Sequence, residues 1–403
     1  GREAGQYLKH TDTTQNTAIG KQALRGANAD STAPTNSVAI GYLSLANVTN
    51  GANNTAVGVD SGNDITSGGH NVLLGYLAGD KLSATSENVV IGSSAGRGNG
   101  YSNNTYIGYA VANSQSSNGS SNTFVGSGVA SSGALTGSFN VAMGRNALLA
   151  GTSANNNSVI GYQSGDSITT GAHNTALGAD SLKAVQTNSY NTAIGSNSLP
   201  ACTGEMNTAV GQKSGENLTT GSHNILIGFH AEASAVDVDN EIVIGTSDAF
   251  ADAFTGGGTG TIRVGTDTSH YTLDFSQTGQ SWQHTSDKRI KKDIEDCELG
   301  LDFINDLRTV TFKMKPPSEY PKEFDQYNAN KTKLKNGDKI QYGFIAQEVK
   351  EAMDKAGHSE FSVWKEQSDG CQTLGEGAFI TPLIKAVQEL SAKVKELEAK
   401  LSK

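Results

Sequence analysis

The sequence predicts a mainly-β protein: a trimeric β-helix or β-prism shaft of units about 17 residues long, then an α+β domain ending in a coiled-coil helix. Three observations lead there. A short apolar motif closed by glycine recurs at a near-constant interval, charge density changes abruptly near residue 285, and the last residues carry a heptad of apolar positions.

Each repeat unit ends in a strand-like run of Asn, a β-branched residue, an apolar residue, an aliphatic residue and Gly, as in Asn16-Thr17-Ala18-Ile19-Gly20. The closing glycines run from Gly20 through Gly41, Gly58 and Gly75 to Gly228 and Gly245, 14 units in all. The residue three before the glycine is β-branched in every unit except the one with Ser158, as a pleated strand favours. Asn opens twelve of the 14 units, where it suits the turn into the strand, with its side chain bonding nearby backbone. The closing glycines are expected to take positive φ or to let neighbouring backbones approach closely.

Alternate residues of a strand face opposite ways, and here both faces are apolar. One face can fill the interior of a stack; the other calls for a covering surface, most simply another copy of the chain. A longer period supports threefold geometry: GGHN, GSSN, GAHN and GSHN end at Asn71, Asn122, Asn174 and Asn224, in steps of 51, 52 and 50 residues. Three units per circuit of a triangular β-helix, or of a prism wound from three chains, would have this arithmetic. His70, His173 and His223 recur at one position of the longer period and are read as turn residues, so no metal and no cofactor are expected.

With a formal charge of −10, the chain lacks the basic surface that phosphate backbones need, which sets nucleic acid aside. Cys202, Cys297 and Cys371 are too few and too widely spaced for a disulfide framework or a metal knuckle, and read as free thiols. No apolar run is long enough for a membrane helix. The first residues, GREAGQY, lack an initiating Met, so the chain is expected to be a piece of a longer protein.

Residues 286–403 hold 20 Lys and Arg and 21 Asp and Glu, leaving 10 and 19 for the preceding 285 residues. The expected divisions are a shaft over 1–248, a small β adaptor over 249–285 with strands at Thr261–Val264 and Tyr271–Phe275, and a charge-dense domain over 286–403. Within the last, Ile380, Leu383, Val387, Leu390, Val394, Leu397 and Leu401 alternate steps of three and four, the seam of a coiled coil over 380–403.

The NTAIG and NSVAIG strands resemble the head repeats of trimeric autotransporter adhesins and repeats in phage fibres. The blocks SDKRIKKDI (Ser286–Ile294), YGFIAQEV (Tyr342–Val349) and ITPLIKAVQEL (Ile380–Leu390), in that order, resemble the intramolecular chaperone autoprocessing domain at the C-termini of phage tailspikes, endosialidases and fibres and in the eukaryotic myelin regulatory factor. The resemblance implies a Ser-Lys dyad and a cut directly before the serine. On the matching positions, Ser286 is the nucleophile, Lys291 the general base, Asp287 and Arg289 the supporting motif, and Thr285-Ser286 the scissile bond.

The residues are chemically suited to that role. A serine hydroxyl needs an adjacent base, and a lysine becomes one near neutrality when burial or neighbouring cations disfavour its charge; Lys288, Arg289 and Lys292 lie close in sequence. The expected chemistry is therefore that of an autoproteolytic serine peptidase acting on itself alone. By resemblance the chain is expected to be a virion tail-fibre component, assembled in the host cytoplasm as a homotrimer. It would contact other virion tail proteins and a host-surface receptor, a glycan or an outer-membrane component. A polysaccharide depolymerase would need paired carboxylates across a cleft, and the acidic residues of 1–248 are scattered. A bacterial trimeric adhesin would end in a membrane-anchoring barrel rather than a charged helix.

Overall fold

The computed structural model describes residues 1–7, 15–27, 34–98, 102–114, 119–247, 252–275, 283–284 (backbone only), 287–334 and 338–402. It separates into two compact units, Gly1–Thr285 and Ser286–Lys403.

The first unit is a β-solenoid of some 14 coils built from the 17-residue repeat. Each coil contributes a three-residue strand, from Thr17–Ile19 to Ile225–Ile227, then Ile242–Thr246. Consecutive strands pair parallel and in register, Ala39 against Ala56, Ala56 against Leu73, Leu73 against Val90. One unit therefore completes a circuit, not three. The expected threefold winding fails because the chain reverses within each unit from Gly20 to Gly211, at two positive-φ residues placed two and four after the closing glycine. Leu43 and Leu45 take φ of 56° and 50°, and Lys213 and Gly215 take 60° and 67°. Left-handed conformations cost roughly 1–2 kcal/mol at a non-glycine residue. Complete burial of Leu24, Leu45, Leu148, Leu182 and Leu199 at the second of these positions offsets that cost. The strands Thr261–Thr266 and His270–Asp274 extend the same sheet, the first parallel to Ile242–Thr246 and the second antiparallel to the first.

The glycine column does both things expected of it. Gly161 sits at φ 142°, and a Cβ there would press into the carbonyl of Gly178 in the next coil. The asparagine column goes beyond expectation: from Asn54 onward its side chains are buried and bond mainly between coils, with bonds inside their own turn only in places such as Asn88 to the Ser86 carbonyl. The Asn54 Oδ1 accepts the Asn71 backbone N–H at 3.0 Å, while its Nδ2 donates to the Gly68 carbonyl at 2.9 Å. The same pair of bonds recurs at Asn174, toward Asn191 N–H at 2.9 Å and the Asn188 carbonyl at 3.0 Å. Ser37 accepts from Asn54 near the start of this ladder, and Glu241 donates its N–H to Asn224 at its far end.

The core keeps a constant volume by pairing sizes. The middle residue of each strand points inward, opposite the residue four past the glycine. Ala39, Ala142, Ala176 and Ala193 face Leu45, Leu148, Leu182 and Leu199, whereas Leu73, Val90, Tyr106, Phe124 and Val159 face Gly79, Gly96, Ala112, Ala130 and Gly165. Tyr106 and Phe124 stack with centroids 5.3 Å apart. Where both partners are small, neighbouring coils fill in: a Cβ on Gly62 would stand 2.6 Å from Leu73 Cδ1 and 3.0 Å from Leu45 Cδ2. Cys202 occupies the place that Val185 and Leu218 hold in adjacent coils, and is a core residue.

The second unit wraps a small core around three helices, α1 (Leu301–Asp306), α2 (Ala346–Lys355) and α3 (Ile380–Leu401). Leu299, Phe303, Val349, Met353, Val363 and Phe379 are buried there. Two antiparallel strand pairs join them, Val310–Phe312 with Gln341–Gly343 and Trp364–Glu366 with Gln372–Leu374. The first turn of α1 is tied to α3 by the Glu389 carboxylate, which accepts the Leu301 N–H at 2.8 Å.

Two measurements follow. Replacing Asn140 with Ala strands the Asn157 N–H and the Ala154 carbonyl inside the stack and should cost about 2–4 kcal/mol in denaturant melts, whereas Gln186→Ala, at an exposed turn, should stay within about 0.5 kcal/mol. Ala142→Leu alone should destabilise by about 1–3 kcal/mol through overpacking, and adding Leu148→Ala should recover part of that loss, a coupling that a double-mutant cycle reads directly.

Candidate functional site

Thr285 and Ser286, the expected scissile pair and nucleophile, lie outside the described residues. The motif that follows is placed. Lys288–Ile290 form a single 3₁₀ turn capped by Asp287, whose carboxylate accepts the Arg289 backbone N–H at 2.8 Å. The Arg289 side chain doubles back on the same carboxylate as a fork, Nε to Oδ1 at 3.0 Å and Nη2 to Oδ2 at 2.7 Å. These bonds hold the Asp287 carboxyl below the usual carboxylate range. The fork makes Asp287 and Arg289 a local brace across the turn at 287–291. Lys291 closes that turn, donating its backbone N–H to the Lys288 carbonyl at 3.2 Å.

Every residue from Asp287 to Asp296 is exposed in the single chain. Of the sequence-predicted residues, the structure brings Asp287 and Arg289 into contact and sets Lys291 one turn away. The second block is structural: Gln341–Gly343 forms a strand, Phe344 packs on Phe379 at 5.0 Å, and Val349 is buried on α2. The third block is the start of α3.

His70, His173 and His223 occupy equivalent positive-φ positions directly before ladder asparagines, at φ of 59°, 58° and 62°. His173 stacks on Tyr190 of the next coil at 5.1 Å. With strands about 4.8 Å apart, His173 and His223, three coils apart, are separated by about 14 Å, and His70, six coils from His173, by about twice that, too far to share an ion.

Sequence reasoning missed a different cluster, Glu216, His230 and Glu232, contributed by two successive coils near the end of the solenoid. The signal was present: Glu232 falls four residues after a closing glycine, a place where other coils carry Leu, Ala or Gly. There the left-handed turn gives way to a strand pair, Ala231–Glu232 with Phe254–Thr255, and burial pushes the Glu232 carboxyl up to about 7. A second carboxylate, Glu241, is buried at the end of the asparagine ladder and accepts the backbone N–H groups of Ser234 at 2.8 Å and Gly258 at 2.5 Å.

The three cysteines are free. Burial pushes the Cys202 thiol up to about 11, while Cys297 and Cys371 are partly exposed. Under native conditions iodoacetamide should therefore label Cys297 and Cys371, with Cys202 labelled only after denaturation, as read by peptide mass spectrometry.

Residues 286–358 match the family model described as the chaperone of endosialidase. No curated protein matches the chain.

Proposed function

We propose that the chain is a homotrimeric fibre or tailspike component of a phage virion, and that its C-terminal unit aligns three copies and then cuts itself free between Thr285 and Ser286. The observation that carries this reading is the endosialidase-chaperone match, which begins at Ser286, directly behind a β-solenoid shaft.

Two apolar surfaces in the single chain support a partner of the same sequence. Along the shaft, the outward strand positions include Ile19, Ile160, Leu177 and Ile244, all well exposed, with Tyr76 and Tyr109 beside them. On α3 the heptad residues Ile380, Leu383, Val387, Leu390, Val394, Leu397 and Leu401 are between 46% and 87% exposed. A seam of that spacing buries itself against copies of its own helix. Three parallel α3 helices would set the register of three shafts.

The chemistry follows the same logic. Ser286 attacks the Thr285 carbonyl carbon through its Oγ, passing its proton to Lys291. Lys291 returns that proton to the Ser286 nitrogen as the C–N bond breaks and the acyl group moves to oxygen. Water then hydrolyses the ester, releasing the Thr285 carboxylate and leaving Ser286 as a new N-terminus with its hydroxyl restored. A lysine serves as base when water is excluded from it, and the 287–296 segment has no cover in one chain. Trimerisation supplies that cover, which couples cutting to assembly. The mature product, residues 1–285, is then a host-attachment fibre that contacts a surface receptor and other tail proteins.

The test is a denaturing gel combined with light scattering. The wild-type chain should yield two fragments separated at the 285/286 bond and a trimeric mass, while Ser286→Ala and Lys291→Ala should each give one full-length band and remain trimeric. Continued fragmentation of Ser286→Ala at that bond would overturn the mechanism, and a monomeric mass would overturn the assembly.

A further inference from the structure

We propose that Glu216, His230 and Glu232 form a binding site for one divalent transition-metal ion per chain, zinc by geometry, which pins the last coils of the shaft. The His230 Nε2 lies 3.4 Å from Glu232 Oε1 and 3.5 Å from Glu216 Oε2. Donors held at about 2.0–2.2 Å from a tetrahedral zinc stand roughly 3.3–3.6 Å from one another, so the imidazole meets each carboxylate at the separation such a site needs, and the three donor atoms all lie within 4.8 Å of one another. An imidazole with two carboxylates selects zinc-class ions over calcium or magnesium.

The surroundings orient the donors. Glu232 accepts the Asn217 backbone N–H on Oε2 at 2.8 Å, which turns Oε1 toward the imidazole. Asn217 is itself fixed to the next coil, donating to the Ala233 carbonyl at 2.7 Å and accepting the Ala233 N–H at 3.2 Å. His230 and Glu232 side chains are only 11% and 5% exposed, whereas Glu216 is 37% exposed and leaves the fourth corner to water. Glu232 stands buried in a column otherwise filled by Leu, Ala and Gly, and a buried carboxylate needs hydrogen bonds or a cation to offset its desolvation. The cation now nearest is the Lys213 ammonium, 3.1 Å from Glu216 Oε2, on a side chain long enough to withdraw to solvent.

The site joins two successive coils: Glu216 comes from one and His230 and Glu232 from the next. Metal binding would therefore stabilise the solenoid where its regular turn is lost, by binding the folded state alone. This inference is independent of trimerisation and of cleavage.

The experiment is titration of chelator-stripped protein with zinc chloride, followed by calorimetry, and with cobalt chloride, followed by visible absorption. One equivalent per chain, a rise in the melting temperature of the shaft and a tetrahedral cobalt band are expected. Glu232→Gln preserves the acceptor for Asn217 and should abolish the stoichiometric event, with Glu216→Gln, at a more exposed position, weakening it at least about tenfold, equivalent to 1.4 kcal/mol. Lys213→Met should tighten binding by removing the competing ammonium. Absence of a stoichiometric event in the wild type, or an event unchanged in both glutamine variants, would overturn the proposal.

Discussion

The shaft depends on one constraint: every coil must return the chain to a point where its backbone can bond the coil before it, with no side chain in the way. The asparagine ladder meets the first half of that demand. Its amide serves as both acceptor and donor, so a single residue type satisfies the orphan N–H ahead of each three-residue strand and the carbonyl of the following loop. The glycine column meets the second half, since a Cβ at Gly58 or Gly161 would collide with backbone of the next coil. With both in place, a strand as short as Thr55–Val57 is enough, because the ladder and the buried Ser61, which donates to the Leu73 carbonyl at 3.0 Å, extend bonding beyond the strand.

Interior volume is the next level of the same constraint. A coil of fixed circumference has a fixed cross-section, and the strand residue and its opposite number share it. Ala with Leu, and Tyr or Phe with Ala, are therefore alternative fillings of one space, and Tyr106 and Phe124 stack within it. The coil of Gly228 breaks the rule by presenting Glu232 where a filler belongs, and this is where the turn changes and the carboxylate-imidazole cluster appears.

Much of this was legible in the residues. The period and the strands came from Asn, β-branched and Gly spacing, and the change at residue 285 from charge; which of the two apolar faces turns inward was left open. The number of units per circuit was not legible, because the reversals lie at left-handed residues such as Leu43, Leu45 and Lys213, whose types do not announce positive φ. The partners of the asparagines were hidden for a related reason: a buried ladder and a local turn use the same residue. At the C-terminal segment, adjacency of Ser286, Asp287, Arg289 and Lys291 in sequence was readable, and the structure adds the Asp287-Arg289 brace. Glu232 was visible as a break in a column, but only once the column had been recognised as buried.

The regularity that builds the shaft also creates its assembly problem. Thr175–Leu177 and Thr192–Ile194 present nearly the same outward residues, so two shafts displaced by one coil, about 4.8 Å, would match almost as well as two in correct register. The ladder cannot discriminate, being satisfied within each chain. Landmarks such as the Tyr106 and Phe124 pair face inward and are invisible to a partner. In the proposed trimer, register would therefore have to come from outside the 17-residue repeat, and the folded, charge-dense second unit that carries α3 lies outside it. Once register were set, the proposed aligning unit would contribute nothing further to the shaft, whose asparagine ladder is bonded within each chain. Its removal after alignment is what the physics of a degenerate repeat would favour.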